Sequence, residues 1–162
     1  MSNLGILVPT VESRTAEYSR IYDENCHRIY SLAFWMTDNE LMAEQLATNV
    51  FLRAFAASAS PATEQIDHAF LAEVREIAPV GTLTLNCSTS ATTSVRGNVK
   101  RVHLERAVVQ LPATEKLIFL LHDVEGYDHQ MIARLLGMEE QESQFGLHQA
   151  RVLIRELISQ MS

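Results

Sequence analysis

The stretch that decides the fold is Glu125-Gly126-Tyr127-Asp128-His129-Gln130-Met131-Ile132-Ala133-Arg134-Leu135-Leu136-Gly137-Met138. Gly126 stands where a helix end needs a left-handed residue, and Asp128 is placed to cap the helix that follows. Met131, Ile132, Leu135 and Leu136 give that short helix an apolar face at three- and four-residue steps. Gly137 permits a sharp turn, and Ala133 is small enough for a second helix to cross closely. The second helix is expected from about residue 141 to 158, with Ser143, Leu147, Ala150, Ile154, Leu157 and Met161 along its inward stripe. Its outward set is then Glu142, Gln144, Phe145, His148, Gln149, Arg151 and Val152. Short helix, glycine turn, long helix is helix-turn-helix geometry, in which outward side chains near the start of the second helix face the major groove. A plain helical hairpin without a nucleic-acid role fits the same spacing.

Working upstream, residues 102–110 read as a helix broken by Leu111-Pro112, and residues 115–123 as another, capped by Thr114. Before them, residues 79–98 are rich in Ser and Thr and lack helical period, which reads as a linker. Thr82-Leu83-Thr84-Leu85 alternates like a short strand with no pairing partner. The first half carries three more helical stripes: residues 18–37, a helix after Thr37-Asp38-Asn39 that ends near Pro61, and residues 67–78. Asp38 or Asn39 is placed to cap the middle one. Trp35, Phe51 and Phe55 fit these stripes as core residues. The expected architecture is all-α, with a tail at 1–15, a helical domain at 16–78, a linker at 79–101 and a helix-turn-helix domain at 102–162.

Composition narrows the function classes. The chain has 162 residues, 47% of them hydrophobic and 20% charged, as expected of a globular protein. No run approaches the roughly 18 apolar residues of a membrane span. The first residues lack the pattern of a signal peptide, so the cytoplasm is the expected compartment. Cys26 and Cys87 are far apart and without metal-ligand spacing, and read as free thiols. There is no nucleophile elbow and no phosphate loop. His122 and Asp123, as helical neighbours, are expected to point apart. An enzyme is not expected, nor a cofactor or metal. The formal charge of −7 runs against nucleic-acid binding, which draws affinity from phosphate neutralisation. The best basic cluster is Arg96, Lys100, Arg101, His103 and Arg106, just ahead of the C-terminal module.

The quoted stretch resembles the E-G-L-S-x-x-E-I-A-x-x-L-G-I signature in the last domain of extracytoplasmic-function sigma factors. Leu111-Pro112-Ala113-Thr114-Glu115-Lys116-Leu117-Ile118-Phe119-Leu120 and Leu147-His148-Gln149-Ala150-Arg151 are similar to the segments that flank it there. In the first half, residues 43–55, AEQLATNVFLRAF, resemble A-E-D-L-x-Q-E-x-F-L-R-A-F, the helix by which this family grips the RNA polymerase clamp. The resemblance implies two partners, core RNA polymerase and promoter DNA, and leaves room for an anti-sigma factor. It places polymerase contacts at Gln45, Thr48, Asn49, Leu52 and Arg53. It places DNA contacts at Gln144, Phe145, His148, Gln149 and Arg151, with Arg134, Lys100 and Arg101 beside them.

The departures from the family pattern concentrate on contact positions. Gln45, Thr48 and Asn49 replace the pattern's Asp, Gln and Glu. Phe70-Leu71-x-x-Val74 keeps the apolar part of W-L-x-x-I, but Glu76, Ile77, Ala78 and Pro79 follow where the family has an Asn and basic residues. Arg75 is the one cation near them, so little is left to hold an unpaired strand by charge and stacking. In the recognition helix the pattern's Lys and two of its Arg are gone, Glu142 appears, and a mid-helix Gly146 is expected to weaken the helix by roughly 1 kcal/mol against alanine. Phe145 suits either a thymine methyl or packing against the linker or first half, which would hide the recognition helix. Two readings follow: a sigma factor with weakened DNA contacts, or a degenerate sigma-like regulator that works through protein contacts.

Overall fold

A computed structural model of the chain describes residues 11–85 and 101–161. Helices α1 (Val11–Thr37), α2 (Glu40–Ala57) and α3 (Thr63–Arg75) form the first half. Helices α4 (Arg101–Val109), α5 (Ala113–Phe119), α6 (His129–Leu136) and α7 (Glu140–Met161) form the second. A π-helical turn, Leu120–Val124, extends α5. The protein is all-helical among the described residues, as the periodicity predicts. Lys100, Arg96, Cys87 and the greater part of the expected tail and linker lie outside those residues.

The boundaries follow local chemistry. Asn39, not Asp38, caps α2, accepting a bond from the Met42 N–H at 3.0 Å, while Asp38 turns the chain at φ 51°. Asp128 caps α6 through Met131 N–H at 2.8 Å, and Gly137 ends it at φ 70°, both as the sequence predicts. Helix α1 starts at Val11, so residues 11–15 of the expected tail are helical, and α3 starts four residues before the expected Asp67. Thr114 is not a cap. Pro112 stands at the N-cap of α5, and the buried Thr114 hydroxyl instead accepts from the Gly81 N–H at 3.2 Å.

The core of the first half lies where α1, α2 and α3 meet, around Ile29, Leu32, Val50, Ile66 and Phe70, all essentially sealed from solvent. Trp35 and Phe55 are partly buried against it, and Tyr18 stacks on Phe55 with ring centroids 4.2 Å apart. In the second half α7 lies across α4, α5 and α6 and buries Leu147, Ala150 and Ile154 against Leu117, Ile118, Ile132 and Leu136. Burial of this apolar surface supplies the driving force, at about 25 cal/mol for each Å² removed from water.

Residues 80–85 form no strand and are not a free tether. Val80, Leu83 and Leu85 pack on the core, and the buried Glu115 carboxylate accepts from Thr84 N–H at 3.0 Å, Thr84 Oγ1 at 3.1 Å and Leu85 N–H at 2.6 Å. The alternation in Thr82-Leu83-Thr84-Leu85 is real, but a helix and its carboxylate take the place of a partner strand. Gly146 explains the close fit: a Cβ there would come within 2.6 Å of Ile118 Cδ1 and 2.8 Å of Leu83 Cδ2. The glycine expected to weaken the recognition helix is instead where two other segments approach its backbone.

Among the described residues every buried side-chain nitrogen and oxygen has a partner. Glu115→Ala removes the acceptor for three donors, and is expected to lower stability by about 2–3 kcal/mol in urea unfolding. Limited proteolysis should then cut within residues 80–85 of the variant and spare them in the wild type.

Candidate nucleic-acid interface

The exposed face of α7 is narrower than the sequence suggests. Gln144, Phe145, His148 and Arg151 are exposed, as is Glu142. Gln149 is 1% exposed and Val152 7%. Both are expected outward from the sequence, but α7 packs on α4, α5 and α6, and its buried arc includes them. Gln149 therefore presents no amide to a base edge. Phe145 is 46% exposed, so the recognition position it occupies is open to solvent.

The described cations assigned to DNA each face a carboxylate of this chain. Arg101 Nε bonds Glu105 at 2.9 Å, Arg134 lies 3.6 Å from Glu64, and Arg151 holds Asp123 through two bonds of 3.2 and 2.7 Å. The first two pairs are exposed and worth little. The third is a two-pronged pair of the kind that fixes an arginine's orientation. A phosphate can recruit Arg151 only by displacing Asp123.

Asp123 reaches Arg151 because of the π-helical turn. In the same turn the side chains of His122 and Asp123, expected to diverge, meet at 2.7 Å between Nδ1 and Oδ1. Burial works to raise the Asp123 carboxyl, but hydrogen bonds from Arg151 and His122 outweigh it and hold the group below the ordinary aspartate value. His122 also stacks on His129, centroids 4.6 Å apart, and His129 Nδ1 meets the buried Ser143 hydroxyl at 2.8 Å. Burial and the neighbouring His122 push the His129 imidazole below its ordinary value, towards the neutral form. Asp123 was missed in the sequence reading, since no periodicity announces a π turn.

Residues 101–154 match the family model for sigma-70, region 4. The C-terminal helix-turn-helix is thus similar to a known transcription-initiation module, on the residues that supplied the fold prediction. No curated protein matches the chain.

On the first half, Gln45, Thr48, Asn49, Leu52 and Arg53 are all exposed along α2, with Leu52 at 65% and Leu41 at 74%. Arg53 is held by Glu73 at 2.9 Å. Phe70, Leu71 and Val74 are buried, while Arg75, Glu76 and Ile77 are exposed at the end of α3. No helix among the described residues is long and apolar enough to cross a membrane.

Two outcomes follow. Asp123→Asn frees Arg151 and is expected to add about one phosphate contact, steepening the salt dependence of duplex binding by roughly 0.9 in log–log slope; titration at several salt concentrations reads it. For His129, the folded value lies below the ordinary 6.5, so the unfolded chain binds more protons just below that pH. Its contribution to stability is complete above pH 6.5 and is lost as pH falls through the lowered folded value. A His129→Gln variant should show a flatter profile of unfolding midpoint against pH.

Proposed function

We propose that the protein is a sigma-factor-like transcription-initiation protein of the extracytoplasmic-function type, acting in the cytoplasm with core RNA polymerase and promoter DNA. The observation that carries this reading is the region 4 match over a helix-turn-helix whose second helix exposes Gln144, Phe145, His148 and Arg151. In this reading α7 enters the major groove at the minus-thirty-five element, with Phe145 against a thymine methyl and Gln144 at an adenine edge. The exposed α2 face, centred on Leu52, meets the polymerase clamp, and α3 lies toward the promoter strand that is opened. The two units are residues 16–78 and 102–162.

A second reading is favoured by a specific observation. Arg101, Arg134 and Arg151 are each paired with an acid of the chain, and Glu142 lies on the exposed face of α7. Intrinsic DNA affinity is therefore low, and a regulator or adaptor that works by protein contacts uses the same scaffold. Both readings give transcription as the setting. They differ in whether a specific duplex is bound.

Co-purification with core polymerase, followed by run-off transcription on genomic fragments, separates them. The sigma reading expects a stable core complex and promoter-dependent transcripts. Leu52→Asp, an exposed change with little effect on folding, should weaken the core complex at least about tenfold. A core complex without transcripts supports the adaptor, and the absence of both ends the sigma reading.

A further inference from the structure

The two halves are joined by a buried polar junction rather than by apolar packing alone. Asp67 on α3 is 5% exposed, and its carboxylate takes a bond from Arg28 of α1 and one from the Tyr127 hydroxyl at 2.6 Å. Arg28 also donates to Tyr127 Oη at 3.3 Å and to Asn25 Oδ1 at 2.9 Å, and the buried Asn25 amide is itself tied to the Ile21 carbonyl. Tyr127 is the residue between Gly126 and the α6 cap Asp128, so this junction grips the entry of the helix-turn-helix. A second tie lies alongside: Lys116 of α5 donates to the Trp35 carbonyl at the end of α1, at 3.1 Å. Glu64 sets a third, weaker contact against Arg134 on α6.

Tyr127 occupies the position where the pattern E-G-L-S carries leucine. A leucine there has no hydroxyl to give a buried carboxylate, so the junction is a property of this chain and not of the helix-turn-helix scaffold. Burial and the adjoining Asp67 carboxylate hold the Tyr127 phenol well above its ordinary value, and it remains a donor at neutral pH.

We propose that Arg28, Asp67 and Tyr127 form a latch that keeps the protein in a closed, inactive form, and that the two halves must part before it engages a promoter. This rests on the sigma-like reading. An opened strand near the start site and an element thirty-five base pairs upstream lie tens of ångströms apart, at about 3.4 Å per base pair. Halves joined by bonds of 2.6–3.3 Å cannot occupy both places. Closure also sets the Glu64 carboxylate beside Arg134, on the helix that would cross the phosphate backbone.

The test uses the full chain and two substitutions, Asp67→Asn and Tyr127→Leu, the second substituting the pattern's own residue. Loss of one hydrogen bond to a buried charge shifts the closed-to-open balance by about ten- to a hundredfold. Small-angle scattering should give the wild type a radius of gyration near the roughly 15 Å of one compact body of this length. Both variants should be larger while their helical circular dichroism is unchanged. Should Asp67→Asn lose helix, Tyr127→Leu alone carries the measurement. A wild type already extended as two bodies, or variants as compact as the wild type, overturns the latch. Core polymerase binding is then measured on the same proteins, and the open variants should bind at least tenfold more tightly than the wild type. Opening with no gain over a wild type that binds polymerase overturns the inhibitory role. Opening with no binding by any form leaves the latch supported and removes the sigma reading on which its role was built.

Discussion

A carboxylate taken out of water must be met by donors, and Asp67 finds one on each side of the molecule. Arg28 reaches it from within the first half and Tyr127 from the second. Removing one hydrogen bond to such a buried charge costs about 1.5–3 kcal/mol, because the carboxylate has already lost its water. That is a large fraction of the 5–15 kcal/mol by which a domain is ordinarily stable. The orientation of α6 against α3 therefore depends on this group as well as on the apolar core that the two halves share.

The same economy of charge runs through the rest of the molecule. Glu115 holds residues 80–85 on α5, Asp123 holds Arg151, and Glu64 and Glu105 face the other described candidate cations. An acidic chain with a helix-turn-helix fold has used its acids to occupy its own arginines. The net charge of −7 thus sits on a scaffold that resembles a DNA-binding module and keeps its helical fold. The apolar stripes resemble the sigma pattern while the contact positions depart from it, since core residues are fixed by packing and exposed ones are not.

Much of the fold was legible because it is written in periodicity and caps. Asp128, Gly137 and the stripe from Ser143 to Ile154 each do what their chemistry predicts. What was not legible depended on long-range approach. Gly146 reads as a helix weakness in the sequence, whereas Ile118 and Leu83 close on its backbone, and Gln149, expected at a base edge, is buried. The π turn that brings Asp123 to Arg151 has no sequence period of its own. The latch was invisible for the same reason: its three residues are separated by 39 and 60 positions, and only the tertiary fold brings them together.

The proposed role requires that α7 meet DNA while the chain is bound to polymerase. A photo-crosslinking residue at position 145, in a complex of the full chain with core polymerase and promoter DNA, reports this directly. Adducts are expected on the duplex about thirty-five base pairs upstream of the transcription start. Adducts confined to polymerase subunits, with none on DNA, would contradict that role.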